Sequence, residues 1–194
     1  FIYAAGSGDI RTINSYIEKY PKHIDIKDAA GDRALIEAAC YNHINIARAL
    51  IEAGADPNLT DDQNSTALNY AAYRGHVAVV EYLLSQKASP HIADNDGDTP
   101  LTRGYENIDI MRLLLKSGAD INHQNKQKET ALMKAVNTDK DNVAFLLERK
   151  ANPNLQDSDG RTALHKIASS DINIDIAQVL LKAGADFEIK DNNG

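Results

Sequence analysis

Five leucines, Leu35, Leu68, Leu101, Leu132 and Leu164, recur at intervals of 33, 33, 31 and 32 residues, and each sits in a copy of one pattern. Between Gly31 and Gly184 every unit opens on a turn, carries two short apolar runs of helical spacing, and closes on Gly-Ala-Asp-x-Asn or a degenerate relative of it. No other feature limits the fold as much. A unit of this size cannot bury its apolar face alone, so neighbours have to stack into an elongated array, an architecture that presents surface.

The unit from Asp61 to Ala93 shows the local logic. Asn64 stands where Gly31, Gly97 and Gly160 stand in their units, and Asn shares with Gly a tolerance of positive φ. Thr66 has the side chain to cap a helix through Leu68, Ala71 and Ala72, whose small face suits close stacking. Gly75-His76 breaks that helix, and Val77, Val79, Val80, Leu83 and Leu84 give a second, antiparallel one its apolar stripe. Lys87-Ala88-Ser89-Pro90 then ends it where other units have Gly54-Ala55-Asp56, Gly118-Ala119-Asp120 and Gly184-Ala185-Asp186. The connecting segment beyond it is expected to project as a finger.

Thr99-Pro100-Leu101, Thr130-Ala131-Leu132, Thr162-Ala163-Leu164-His165, Gly75-His76, Leu83-Leu84, Leu114-Leu115 and Leu180-Leu181 together resemble the consensus of the ankyrin repeat family. The likeness covers nearly the whole chain. It implies an all-α solenoid of stacked antiparallel helix pairs with short hairpin-like fingers. It divides a single domain, residues 1–194, into a partial unit 1–27, full units 28–60, 61–93, 94–124, 125–156 and 157–190, and a second partial unit 191–194. It also implies a protein-binding scaffold that is not itself an enzyme, working through its finger tips and the groove lined by the first helices. The chain opens at Phe1 within what reads as a helix and stops in an opening turn, so both ends are expected to continue in something longer.

Composition narrows the partners. A formal net charge of -7 opposes broad attraction to nucleic acid and leaves room only for a local basic patch. With 43% hydrophobic and 25% charged residues, no stretch approaches the roughly 18 apolar residues of a membrane span. Cys40 is the only cysteine, so no intrachain disulfide forms and stacking has to supply stability. A monomer in the cytoplasm fits this balance.

Several clusters mimic chemistry. Asp94-Asn95-Asp96-Gly97-Asp98 and Asp157-Ser158-Asp159-Gly160 look like the start of a calcium loop, but such a loop needs Gly sixth and Glu twelfth, whereas Gly97 is fourth and Tyr105 twelfth from Asp94. Asp94 and Asp157 are expected instead to accept amide hydrogen bonds inside their turns. The six histidines lack partners at metal spacing, and His76 and His165 read as loop fasteners. Cys40, three residues before His43, has no orienting acid and reads as an exposed or half-buried bystander. No phosphate-binding loop occurs. No catalytic residue, metal or cofactor is expected.

Positions that vary between units mark the candidate face. The finger tips carry Asp62 and Gln63, then Asp96 and Asp98; the ends of the first helices carry Tyr41, Tyr73 and Arg74. Leu101 to Leu114 is two residues shorter than Leu68 to Leu83, so the third unit has a truncated first helix or turn. Matching Asn107-Ile108-Asp109-Ile110 to His43-Ile44-Asn45-Ile46 brings Tyr105 level with Tyr41 and Arg74, forming a tyrosine row with Tyr73. Lys128 takes a turn-glycine position in the fourth unit, which should weaken that seam. Two readings stay open for the face: contact with a basic or amphipathic segment of another protein, since Tyr and Arg dominate binding hot spots, or solvated turns alone. A third class, recruitment of substrate to the catalytic part of a larger enzyme or effector, rests on whatever adjoins the chain.

Overall fold

A computed structural model describes residues 1–168 and 174–193. The part of the unit 157–190 at 169–173, and Gly194 of the terminal partial unit, lie outside the described residues. The described residues form α-helices and turns without a strand: α1 (Ile2–Ser7), α2 (Ile10–Lys19), α3 (Ala34–Cys40), α4 (Ile44–Glu52), α5 (Ala67–Tyr73), α6 (Val77–Ser85), α7 (Pro100–Arg103), α8 (Ile108–Lys116), α9 (Ala131–Ala135), α10 (Lys140–Glu148), α11 (Ala163–Ala168) and α12 (Ile174–Lys182). Odd-numbered helices stack on one another as an inner row, and even-numbered helices form the outer row. In the outer row α8 and α10 make the loosest approach. This is the expected all-α solenoid.

Small side chains set the inner spacing. Ala5, Ala38, Ala39, Ala71, Ala72 and Ala135 are buried, as are the leucines of the repeat, Leu35, Leu68, Leu101 and Leu132. Each outer helix turns a narrower stripe inward: Ile46 and Leu50 from α4, Val79, Val80 and Leu83 from α6, Ile110, Met111 and Leu114 from α8. Thr66 caps α5 through the amide of Asn69, and the Asn69 side chain returns to the Thr66 amide, a reciprocal box. Thr99 and Thr130 cap α7 and α9 the same way on one side.

The fingers repeat one hairpin. The amides of Asp28, Asp61, Asp94, Asn125 and Asp157 donate to the carbonyls of Asp32, Ser65, Asp98, Glu129 and Arg161. In each, the Oδ1 of the first residue accepts two amides further along the turn, as Asp94 does from Asp96 and Asp98, and Asp157 from Asp159 and Arg161. From the second finger onward, successive fingers are tied by backbone bonds: Asn95 N–H to Gln63, Lys126 to Asp96, Ser158 to Gln127 and Asn192 to Asp159. Asn64 and Lys128 adopt positive φ, 55° and 56°, at the turn-glycine position.

Two further ladders cross the seams. Asp25, Asn58, Asn122 and Asn154 accept amides from Asp56, Ser89, Asn152 and Asp186 of the next unit. His43 and His76 reach back to the carbonyls of Gly6 and Cys40. Between the second and third units both ladders change residue, because His91 stands at the Asn position and Asn107 at the His position. Asn107 turns instead to cap α8 through the amides of Asp109 and Ile110. The third unit's first helix, α7, is also the four-residue one, so this seam departs most from the pattern. The next seam is tied by charge: Lys134 donates to buried Asp98 at 2.7 and 2.8 Å, and Asn125 Nδ2 adds a third bond at 3.0 Å.

The irregular seam and the left-handed lysine each have a measurable effect. Hydrogen exchange monitored by mass spectrometry should find amides 104–107 opening faster than those of α5 and α6, since local stability tracks the bonds and packing that hold a seam; uniform protection would show that the shortened α7 leaves the array unweakened. Lys128→Gly removes a left-handed non-glycine residue and should raise the unfolding free energy by about 1 kcal/mol in urea titration.

Candidate functional site

Truncating α7 shapes the concave face. An inner helix of four residues, against seven in α3 and α5, leaves the end of α5 without a neighbour of equal length. A cleft of about 280 Å³ opens there, lined by Gln63, Asn69, Tyr70 and Tyr73 of the second unit and Asp94, Asn95, Asp96 and Arg103 of the third. On the other side of Tyr73 and Arg103 a smaller hollow of about 220 Å³ is lined by Arg74, Gly104, Glu106 and Asn107. The Tyr73 ring is 61% exposed between them, and Arg74 stands 5.8 Å from its centroid. Tyr41 is 55% exposed at the end of α3.

Of the residues singled out in the sequence, the structure brings Gln63, Tyr73 and Asp96 to one cleft and sets Arg74 against Tyr73. Asp62 lies at an exposed tip, where its carboxylate meets Lys27 at 2.5 Å. Two positions differ from expectation. Asp98 is not an exposed tip residue: its backbone closes the hairpin, its side chain is buried, and Lys134 and Asn125 occupy its oxygens. Tyr105 does not join Tyr41 and Tyr73 as an exposed row. It packs half-buried against the core, and burial first, then Glu106, pushes its hydroxyl pKa up. Cys40 is likewise buried rather than half-exposed, because it closes the inner face of α3.

The groove also carries a column that the sequence comparison of units did not single out. Two residues after each repeat leucine stand Glu37, Tyr70, Arg103, Lys134 and Lys166, of which the last four reach finger residues. Tyr70 donates to Asp61 at 2.9 Å, and burial together with that carboxylate pushes its pKa up to about 12. Arg103 reaches Asp94 at 2.5 Å, Asp96 at 3.2 Å and Asp98 at 3.5 Å. Lys166 bridges Glu129 at 2.5 Å and Asp157 at 2.9 Å. In the third to fifth units, then, bases on the inner helices neutralise the acidic fingers. The first unit has the opposite arrangement. Burial, then Asp28, Asp61 and Asp62, raises the Asp32 pKa; burial, then Asp32 and Asp28, raises that of Glu37. Acidic charge is therefore concentrated around Asp32 and Glu37, while Lys27 answers Asp62 and Tyr70 answers Asp61.

The remaining motifs serve the scaffold. His165 Nδ1 lies 3.2 Å from the amide and 2.9 Å from the hydroxyl of Thr162 at the start of α11. His76 fastens its loop to the Cys40 carbonyl at 3.0 Å. Among the described residues no group of three His, Cys, Asp or Glu side chains converges on a metal position, and no helix is long and apolar enough to cross a membrane.

Three overlapping copies of the family model for ankyrin repeats match residues 1–94, 53–125 and 101–191. The chain belongs to the ankyrin repeat family. It is similar to an ankyrin repeat protein of Rickettsia bellii, 39% identical over 98 residues that make up 45% of this chain and 28% of that protein. It is 41% identical over 78 residues to one of Acanthamoeba polyphaga mimivirus, covering 39% of this chain and 19% of the other. It is 32% identical over 171 residues to human Inversin, covering 86% of this chain and 16% of Inversin. The matched region is thus under a third of each relative's length. Ankyrin repeats generally act as protein–protein interaction modules and are typically non-catalytic.

The Lys166 pair gives a test with a defined sign. Burial alone would raise the Asp157 pKa, but the Lys166 hydrogen bond and charge and the amides of Arg161 and Asp159 outweigh it and hold the carboxyl low. Its stabilisation is therefore present above the ordinary carboxylate range and lost as pH falls through the lowered value. Burial lowers the Lys166 pKa and its two carboxylates more than restore it, so its share is present below the ordinary lysine range and lost only as pH rises through the raised value. Lys166→Ala leaves Asp157 buried without its cation and should cost about 3 kcal/mol at neutral pH in urea titration, the loss shrinking in acid as Asp157 protonates.

Proposed function

We propose that the chain is a single-domain, monomeric, cytoplasmic scaffold that holds a basic or amphipathic segment of another protein along the groove of its first three units. Tyr41, Tyr73 and Arg74 supply the contact surface, and Gln63 and Asp96 border the cleft that receives a side chain. Asp62 guides approach from the rim. Asp98 and Tyr105 take part only from beneath, by fixing the Arg103–Lys134 charges and the floor beside Tyr73. The observation that carries the reading is the contrast in charge along the groove: bases within the array answer the fingers of the later units, while Asp32 and Glu37 are held at raised pKa by burial and by their acidic neighbours. A cation from a partner favours the ionised forms of both, and exposed tyrosines beside it provide faces for an alkyl stem or guanidinium.

Peptides selected on the array from a random-sequence library should be rich in Arg and Lys with an apolar or aromatic residue nearby. Tyr73→Ala should weaken a selected peptide by about 2 kcal/mol while leaving thermal unfolding unchanged. Binding should strengthen as pH rises through the raised range of Asp32 and Glu37 and then level off, because the cation favours their ionised forms, and Glu37→Gln should flatten that rise. Selection of acidic peptides, or indifference to Tyr73, would overturn the proposal. A second reading, recruitment of substrate for a catalytic part of a longer protein, draws support from the fraction of each relative that the chain spans, and a cleaved or modified substrate bound through the same groove would distinguish it.

A further inference from the structure

We infer that the outer face of the array carries a second docking site, between α8 and α10, for an acidic amphipathic peptide. This face is opposite the groove and shares no lining residue with it. Where α8 and α10 make their loose approach, a shallow cleft of about 510 Å³ is walled by Arg112, Lys116 and Arg149 and floored by Leu115, Ala119 and Ile121. In a chain of net charge -7, three cations around an aliphatic floor select against the protein's own surface chemistry.

The cations are displayed rather than spent. Arg149 lies over the Phe145 ring at 3.6 Å and its Nη1 donates to the Phe145 carbonyl at 3.3 Å; Arg112 approaches the same ring at 5.7 Å from α8. Phe145 is buried, so it holds both guanidiniums without engaging their outward N–H groups, and a positioned guanidinium loses little freedom when a carboxylate arrives. The carboxylates already near them are exposed: Asp109 on Arg112 at 3.0 Å and Glu148 on Arg149 at 3.9 Å. Such surface pairs are worth little and exchange readily. Lys116 has no carboxylate within ion-pair distance among the described residues. Lys116 and Arg149 also lie at helix C-termini, whose partial negative charge they offset. About half a charge at each end is so used, and Asp109 and Glu148 are the exposed carboxylates that an incoming acid displaces. The aliphatic floor is what favours a peptide over a simple anion, since phosphate would leave Leu115 and Ile121 uncovered.

The probe is a short fluorescent peptide of alternating Glu and Leu, titrated by anisotropy against the full chain, with amide shift mapping to locate it. Expected are saturable binding that weakens with salt, shifts at 112–121 and 145–149, and about a tenfold loss in the Arg112→Gln, Lys116→Gln double variant, the sum of two surface ion pairs. Both side chains are exposed, so the variant should melt as the parent does; if it does not, the single Lys116→Glu reversal is used and should weaken binding at least as much. Tyr73→Ala should leave this binding unchanged, which separates it from the groove reading. The inference is overturned if the peptide fails to bind, if shifts fall on the groove, if folded variants bind as well as the parent, if a Gln-Leu peptide binds equally, or if inorganic phosphate produces the same shifts at 112–121 and displaces the peptide, which would make this an anion site only.

Discussion

Everything in this array depends on the seam, because no unit can hide its own apolar face. The seam works at two distances from the axis. Near the axis, alanines such as Ala38, Ala39, Ala71 and Ala72 let inner helices approach until their leucines are buried. Away from it, a hairpin with an Asp or Asn at its first position leaves one carbonyl free at the third, and the next finger's amide takes it, as Asn95 does from Gln63 and Ser158 from Gln127. The hydrophobic contact supplies energy without direction, and the hydrogen bonds supply the register between units.

In the third unit that pattern is relaxed, and the groove changes shape as a result. α7 is shortened to four residues, and beside it clefts lie on both sides of Tyr73 and Arg103. One seam on, the fold is held by Asp98, Lys134 and Asn125, a buried charge pair with its remaining acceptor capacity filled. Such a pair adds little net stability over an apolar contact, yet losing one partner is costly, so it fixes geometry. The same substitution of charge for ladder makes Arg103, Lys134 and Lys166 internal counterions. It thereby decides which acids are answered from within the array.

Most of this fold was legible in the sequence, since the period, the capping Thr66, Thr99 and Thr130, the breaks at Gly75-His76 and the truncated third unit are all local signals. The hydrogen-bonding roles of Asp94, Asp157, His76 and His165 were legible for the same reason. The site was less so. Whether Asp98 is an exposed tip or a buried counterion depends on Lys134, thirty-six positions away. Tyr105 is level with Tyr41 by counting, but its ring packs half-buried against the core, which counting does not measure. The signal that could have found the groove's charge pattern is the column two residues after each leucine, where Glu37, Tyr70, Arg103, Lys134 and Lys166 change sign along the array.

That change of sign also gives the groove a register. A stack of identical units would bind an extended segment equally well in any register, because every groove position would repeat. Here the inner column runs from an acid through a tyrosine to three bases, and the bases are committed to Asp94, Asp98, Glu129 and Asp157. On the proposed reading, a bound segment meets acidic surface at one end and a neutralised surface at the other, so its cationic part would lie over α3 and α5 and the remainder across the cleft beside Tyr73. The register of the groove's charge is set by one varying residue per unit on a backbone that otherwise repeats.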